Sequence, residues 1–185
     1  MIGVLVSGSG SNLQALLDHD LPIVAVASNV AGVRALQRAE AAAVPSAVFE
    51  LSRFGSRDER DSAMASWLVE QRVQLVVCAG YMQLLTSAFL ERFPGRVINV
   101  HPSLLPAFPG MLAVERALEA GVEKTGVTVH YVDDGVDTGE VIEQVEVTID
   151  PHETAEALLD RLHAVEHRLL PSVALRLLEE SIGSS

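Results

Sequence analysis

The sequence predicts a doubly wound α/β fold whose N-terminal half is a mostly parallel, Rossmann-like sheet, and three observations support this class. Strand-like and helix-like segments alternate along the first half of the 185-residue chain, which is typical of right-handed βαβ units. Apolar residues make up 49% of the chain but aromatic residues only 4%, so the core must be aliphatic. Aliphatic runs are typical of parallel strands that are covered by helices.

The first part of the chain contains five predicted strands with helices between them. A continuous apolar run at 73–79 predicts a strand at the centre of the sheet. Met64, Trp67 and Leu68 recur at helical spacing, and Thr86 is a residue type that caps helices. The predicted strands are 3–7, 22–28, 46–51, 73–79 and 96–101. The predicted helices are 12–17, 33–43, 57–71 and 86–92.

The pattern changes after residue 106. A short helix at 112–120 is predicted to end at Gly121. The segments 126–132 and 141–149 alternate between apolar and polar residues, as half-exposed strands do. We therefore expect an antiparallel C-terminal extension of the sheet.

A long C-terminal helix is predicted to complete the fold. Asp150, Pro151 and Glu153 supply a cap, a first-turn proline and an acid at the third position, so we expect the helix to begin there. It should run past Arg168, with a kink or break near Pro171. No internal repeat or linker is present, and the length suits a single domain with a full hydrophobic core.

Charge and cysteine content exclude several classes of protein. Thirteen basic against 25 acidic residues give a net charge of −12, which argues against a broad nucleic-acid surface. Cys78 is the only cysteine, so no disulfide can form within the chain, which is compatible with the cytoplasm. The apolar N-terminus lacks a basic region, which indicates a buried strand rather than a signal peptide. The chain has no apolar segment of about 18 residues, so we expect no membrane span.

A glycine-rich run, SGSGSN at 7–12, joins the first strand to the first helix. Glycines allow a sharp turn and a close approach of the backbone to a ligand. The N–H groups of the helix start then face an anion, and Ser11 and Asn12 can add side-chain donors. The spacing matches neither the dinucleotide fingerprint nor a P-loop. Two interpretations stay open: a phosphate site, which we favour, and a structural turn with a Ser or Asn cap.

Two polar side chains lie at the end of the strand predicted at 96–101. Because strand side chains alternate in direction, Asn99 and His101 are expected to point to the same side. Pro102 and Pro106 then end the strand and stiffen the following segment. An amide and an imidazole at the C-terminal end of a strand lie where open α/β sheets bind ligands.

A second polar group, DDGVDTG at 133–139, lies between the last two predicted strands. The run is too short for a calcium loop and lacks the distal glutamate. It is either a solvated hairpin with aspartates in turn positions, or a loop that places an aspartate beside His101. His130, on the preceding strand, has a structural and a functional interpretation, which both stay open. The other histidines are expected at the surface: His19, His152, His163 and His167.

Asparagine, histidine and aspartate together suit acyl-type transfer without a covalent intermediate. The N–H groups of an amide and an imidazolium can stabilise a developing oxyanion, and a nearby carboxylate can help to move protons. No serine lies in a nucleophile-elbow pattern, which argues against a hydrolase triad. This chemistry requires no metal.

These motifs together resemble the phosphoribosylglycinamide formyltransferases of the folate-dependent formyltransferase superfamily. The similar segments are GSGSNLQA at 8–15, NVHPSLLPAFPG at 99–110 and VDTG at 136–139. The resemblance covers nearly the whole chain, in order and at the spacing of the family. The second segment is typical of the superfamily, and the first is typical of its glycinamide ribonucleotide branch.

The resemblance implies a role for each matching residue. Asn99, His101 and Asp137 would be catalytic, and Glu166, which the residues alone predict to be solvated, would contact the substrate amine. The Leu105–Pro106 bond would be cis. The residues implied to bind the substrate phosphate are Gly10, Ser11 and Asn12. The residues implied to bind folate are Arg57, Met82, Gln83, Leu84, Leu85, His130 and Asp133.

The implied reaction is formyl transfer to the amine of glycinamide ribonucleotide in purine biosynthesis. The donor, 10-formyltetrahydrofolate, would be a cosubstrate, with no permanently bound cofactor. We expect one formyltransferase domain over 1–185, with a nucleotide and phosphate half at 1–95 and a catalytic and folate half at 96–185. We expect small-molecule substrates rather than nucleic acid or membrane, a cytoplasmic location, and a monomer or homodimer.

Three alternatives remain. A formyltetrahydrofolate deformylase uses the same three residues on water, but normally carries an extra N-terminal domain. A methionyl-tRNA formyltransferase would be longer and would carry a basic domain. A non-catalytic nucleotide-binding module would explain the glycine-rich run, but not the polar residues at 99, 101 and 137. The chain departs from the family pattern near the folate entrance at Gln83, Ala107, Leu112 and Val114.

Overall fold

The computed structural model describes residues 1–183 and contains a seven-stranded sheet. The strands are β1 (Ile2–Val6), β2 (Ile23–Ser28), β3 (Ser46–Val48), β4 (Leu75–Cys78), β5 (Val97–His101), β6 (Lys124–Tyr131) and β7 (Val141–Thr148). Their order across the sheet is β3-β2-β1-β4-β5-β6-β7. The first five strands are parallel, and β6 and β7 pair antiparallel. The predicted parallel sheet with an antiparallel extension is confirmed.

Six α-helices between residues 1 and 183 cover both faces of the sheet. They are α1 (Ser11–Asp18), α2 (Arg34–Ala41), α3 (Arg57–Glu70), α4 (Ser87–Leu90), α5 (Ala113–Glu119) and α6 (Ala155–Gly183). Residues of α1, α2, α5 and α6 form one apolar cluster, and residues of α3 and α4 form a second. Val4 and Leu5 of β1 belong to different clusters, as strand alternation requires. None of these helices is long and apolar enough to cross a membrane.

The last helix begins at Ala155, so the predicted start at Asp150 is wrong. His152 has a φ of 65°, a left-handed conformation that a right-handed helix does not contain. The backbone N–H of Asp150 instead donates to the Glu153 carboxylate at 3.0 Å. The helix is capped by Thr154, whose Oγ1 accepts a backbone N–H at 3.2 Å.

One other boundary differs from the prediction by three residues, and a predicted break in the last helix is not found. The third strand ends at Val48 rather than at residue 51, because the chain turns into a 3₁₀ helix at Leu51–Arg53. No break is present near Pro171, and α6 continues to Gly183. Proline removes one backbone donor, but buried leucine and valine side chains on either side keep this helix packed on the core.

The chain changes direction across the sheet between β1 and β4. From β1 it moves outward through β2 to β3, then returns to the other side of β1 at β4 and moves outward again. Open α/β sheets bind ligands outside the C-terminal ends of the strands at this switch point. The segments that follow β1, β4 and β5 therefore meet at one edge of the sheet.

Candidate active site

A cavity of about 500 Å³ opens at this edge of the sheet. Its walls come from the segment after β4, the end of β5 with the segment that follows it, and the loop between β6 and β7. The predicted catalytic residues Asn99, His101 and Asp137 all line it, together with His130. The predicted folate residues that line it are Met82, Gln83, Leu84, Leu85 and Asp133.

Asp137 is the centre of the polar contacts in this cavity. Its Oδ2 accepts the Gly110 N–H at 2.7 Å and lies 3.3 Å from His101 Nδ1. Its Oδ1 accepts from Asn99 Nδ2 at 3.4 Å and lies 3.5 Å from His130 Nε2. Asp137 has a φ of 53°, so the loop holds it in the left-handed conformation that few non-glycine residues adopt. The functional interpretation of this aspartate loop is therefore favoured over the solvated hairpin.

The Asp137 carboxylate is ionised at neutral pH. Burial raises the pKa of Asp137, but hydrogen bonds from His130 and the Gly110 N–H, with the charges of His101 and His130, outweigh burial. The net result is a pKa below the ordinary value of 3.8. An ionised carboxylate accepts at both oxygens, which the arrangement of its four neighbours requires.

The two cavity histidines play different hydrogen-bonding roles. His101 Nε2 donates to the Phe108 carbonyl at 2.9 Å while Nδ1 faces Asp137. Both nitrogens of the His101 ring therefore face oxygen atoms. His130 Nδ1 donates to the Tyr131 carbonyl at 2.8 Å, and its Nε2 lies 3.2 Å from Asn99 Nδ2 and 3.5 Å from Asp137 Oδ1. These proton positions follow from the chemistry of the partners.

Strand pairing places these side chains beside one another. Asn99 of β5 pairs with His130 of β6, and His101 pairs with Thr128. Directly opposed residues of antiparallel strands have Cβ atoms about 4.5–5.5 Å apart, so their side chains contact each other. The sheet itself therefore fixes the spacing of the asparagine and both histidines.

The segment after β5 is held by a buried hydrogen-bond network around Thr128. Its Oγ1 donates to the Ser103 carbonyl at 2.7 Å and accepts the Leu105 N–H at 3.1 Å. Gln144 Nε2 donates to the same oxygen at 2.8 Å. The Leu105–Pro106 bond is cis, as the resemblance implied.

The glycine-rich segment has the geometry of an anion site, although it does not line the cavity. Gly10 has a φ of 72°, and a Cβ there would lie 2.6 Å from the Ala35 Cβ, so only glycine fits. Helix α1 begins at Ser11, and the Gln14 N–H is the first to bond back, to the Gly10 carbonyl at 2.9 Å. The preceding N–H groups therefore have no partner within the helix and can face an anion.

Glu166 lies beside this segment and is only 4% exposed, so the solvated position predicted from the residues alone is wrong. Asn12 Nδ2 donates to Glu166 Oε2 at 2.9 Å, because α6 packs this face against α1. Burial raises the pKa of Glu166, opposed by the Asn12 hydrogen bond and the charge of His163. A helical pattern alone does not reveal which face meets another helix.

Arg57 does not line the cavity. Its Nη2 donates to the carbonyl of Leu84 at 2.8 Å, so Arg57 contacts the backbone of a segment that forms one wall of the cavity. The other histidines divide into two pairs. His19 and His152 are exposed as predicted, whereas His163 and His167 are half-buried, with stacked rings whose centroids lie 6.2 Å apart.

Sequence reasoning missed the groups that orient the catalytic candidates. The Phe108 carbonyl and the Gly110 N–H are backbone atoms, which leave no side-chain signal. The Thr128 hydroxyl lies in an ordinary strand pattern that predicts only burial. The one available signal was the Pro109-Gly110 pair, which marks a turn in the chain.

Comparisons with known proteins agree with this geometry. Residues 1–174 match the formyl transferase family. Phosphoribosylglycinamide formyltransferase of Bacillus subtilis is 40% identical over 181 residues, which cover 95% of this chain and 93% of that protein. The trifunctional purine biosynthetic protein adenosine-3 of Chironomus tentans is 43% identical, but the chain spans only 13% of its length.

A solved structure is similar over almost the whole chain. Glycinamide ribonucleotide transformylase 1 from Symbiobacterium toebii has 45% sequence identity and a TM-score of 0.93, with 97% of this chain and 87% of that chain covered. The match to the family, the identity to the Bacillus protein and this shared fold lead to one conclusion: the chain belongs to the formyl transferase family.

Proposed function

We propose that this protein transfers the formyl group of 10-formyltetrahydrofolate to the amine of glycinamide ribonucleotide. One observation carries the proposal: Asn99, His101 and Asp137 line a single cavity, with Asp137 Oδ2 3.3 Å from His101 Nδ1. Relatives from Bacillus subtilis and Symbiobacterium toebii are named for this activity. The products are formylglycinamide ribonucleotide and tetrahydrofolate, within purine biosynthesis.

Two subsites hold the substrates in this proposal. The folate occupies the 500 Å³ cavity, whose lining includes Met82, Leu85, His130 and Asp133. The nucleotide phosphate binds at Gly10, Ser11 and Asn12, where the N–H groups of the start of α1 favour an anion. Glu166, which contacts Asn12, receives the substrate amine. The nucleotide and the folate are both consumed in each turnover, and the proposed reaction needs no permanently bound cofactor.

The reaction proceeds through a tetrahedral intermediate. The substrate amine attacks the formyl carbon, and the carbonyl electron pair moves onto oxygen. The contacts of His101 Nδ1 and Asn99 Nδ2 with Asp137 are long, at 3.3 and 3.4 Å, and in this proposal these two N–H groups turn to the oxyanion and stabilise it. The bond between the formyl carbon and folate N10 then breaks, and the formyl group stays on the nucleotide. Holding both substrates in one cleft supplies part of the acceleration.

Asp137 moves the proton that this exchange requires. The attacking amine must lose a proton, and the departing N10 must gain one. Asp137 accepts the proton, directly or through water, and returns it to N10. Burial raises the pKa of Asp137, but the two histidines and the Gly110 N–H lower it further, so the carboxylate is ionised and is free of the proton that it must accept. The other oxygen of Asp137 faces His101 Nδ1 at 3.3 Å and so orients the imidazole ring.

The proposal is tested by incubating the purified protein with both substrates and following tetrahydrofolate release. We expect release that depends on glycinamide ribonucleotide, with label from the formyl group recovered in the nucleotide. Formate release without the nucleotide would instead identify a deformylase. Nucleotide binding without turnover would identify a binding module and refute the proposed reaction.

The remaining expectations complete the proposal. We propose one formyltransferase domain, a cytoplasmic location and a monomer or homodimer. The single cysteine, Cys78, supports the location because it leaves no disulfide within the chain. Sedimentation of the purified protein distinguishes the two oligomeric states.

A further inference from the structure

One wall of the cavity has no regular secondary structure. This folate wall, defined as residues 80–86, connects β4 to α4, and its members 80–85 line the cavity. The side chains of Met82 and Leu84 are 65% and 45% exposed, so packing alone does not hold their backbone. Tyr81 and Leu85 pack against the second apolar cluster, and polar contacts from other elements hold the exposed backbone between them.

The beginning of the wall is held by Ser7. The Ser7 N–H donates to the Gly80 carbonyl at 3.2 Å, and the Met82 N–H donates to Ser7 Oγ at 2.8 Å. The Ser7 hydroxyl in turn donates to Asn29 Oδ1 at 2.6 Å, which fixes its direction. Ser7, the residue that follows β1, thus satisfies two backbone groups of the wall.

The end of the wall is held by Asp61 on α3. Asp61 is fully buried, and its Oδ2 accepts the Thr86 N–H at 2.8 Å. Its Oδ1 accepts from the buried Arg60 at 2.8 Å, which balances the charge. A hydrogen bond to a buried, ionised carboxylate is shorter and stronger than a neutral one.

We propose that Ser7 and Asp61 are positioning residues that hold the two ends of the folate wall, and thereby set the affinity for folate. This inference rests on the proposed function. By sequence, Ser7 opens the glycine-rich run in which Gly10, Ser11 and Asn12 are proposed to bind the nucleotide phosphate. In the structure, its side chain instead contacts the folate wall, so we expect it to affect binding of the folate.

Steady-state kinetics of Ser7→Ala and Asp61→Asn test the proposal. Loss of one well-made hydrogen bond with its partner left unsatisfied corresponds to roughly a tenfold change. We expect the KM for 10-formyltetrahydrofolate to rise about tenfold in each variant, with the nucleotide KM unchanged. Matched controls are Ser9→Ala, an exposed serine of the same run, and Asp58→Asn, an exposed aspartate of the same helix. Both should leave the folate KM unchanged.

Other outcomes overturn the proposal. A rise confined to the nucleotide KM in Ser7→Ala would show that this serine serves the phosphate site. A fall in kcat with both KM values unchanged would show a purely structural role. If Asp61→Asn does not fold because Arg60 then lacks its counter-charge, the folate KM of Ser7→Ala, compared with that of Ser9→Ala, tests the proposal by itself.

A direct binding measurement separates this inference from the proposed function. Tetrahydrofolate itself is the probe, titrated calorimetrically into wild type and Ser7→Ala. We expect about tenfold weaker binding to the variant. Equal binding overturns the role of Ser7 while leaving the reaction intact, whereas failure of the wild type to transfer formyl groups refutes the proposed function instead.

Discussion

The catalytic cluster and the folate wall are built in opposite ways. In the cluster, Asn99, His101 and His130 lie on paired strands, and their side chains contact each other or Asp137. In the wall at 80–86, an irregular segment with exposed side chains depends on anchors from β1 and α3. The sheet fixes the positions of the proposed reacting groups, while separate side chains hold the proposed folate-binding surface. Changes in the cluster should therefore lower kcat, and changes in the wall should raise KM.

The largest expected effect is that of His101→Ala. This change removes a donor to the oxyanion, so we expect kcat to fall about 10²-fold or more, with both KM values little changed. Steady-state kinetics measure it, and His19→Ala, at an exposed helix end, is the control. Near-normal turnover in His101→Ala would remove this histidine from the mechanism.

The next effect concerns Thr128, whose hydrogen bonds hold the segment that follows β5. Thr128→Val leaves buried donors of Leu105 and Gln144 without their acceptor, so we expect a loss of about 1–3 kcal/mol in the free energy of unfolding. The matched control is Thr125→Val on the same strand, since the Thr125 hydroxyl is buried with no hydrogen-bond partner in residues 1–183. Urea unfolding should find the control near neutral, and equal losses in both variants would contradict this account.

A smaller effect is expected at the phosphate segment. Asn12→Ala removes a donor near the start of α1 and the partner of Glu166, so the nucleotide KM should rise about tenfold. The folate KM serves as the internal control and should not change. An effect confined to folate would refute the assignment of this segment to the phosphate.

The smallest effect is a change in pH dependence. Burial raises the pKa of Glu166 above 4.5, so the folded state binds more protons than the unfolded state in that range. Stability contributed by this group is therefore lost as pH rises above 4.5. Glu166→Gln should gain stability relative to wild type over the same range, as urea unfolding at several pH values measures. A difference independent of pH would contradict the raised pKa.

The sequence predicts those parts of the site that depend on local pattern. Strand alternation places Asn99 and His101 on one side, and both line the cavity. The sharp turn in the glycine-rich run was predictable, and Gly10 has the positive φ that this turn needs. The mostly parallel sheet with its antiparallel extension followed from the alternation of strands and helices, whereas the order of the strands across the sheet came from the structure.

The remaining parts depend on contacts between distant segments. The burial of Glu166 depends on the packing of α6 against α1, and the start of α6 depends on the left-handed conformation of His152. The anchors Ser7 and Asp61 act on backbone atoms many residues away. Neither periodicity nor residue type carries that information.

One measurement tests the central claim, that the cluster at Asp137 performs the transfer while other residues bind. Wild type and Asp137→Asn are each saturated with both substrates, and a single turnover of formyl transfer is followed, with Asp134→Asn as the control from the same loop. The account predicts that Asp137→Asn still binds the nucleotide but transfers the formyl group orders of magnitude more slowly, while the control matches wild type. Transfer by Asp137→Asn at the wild-type rate would contradict the claim.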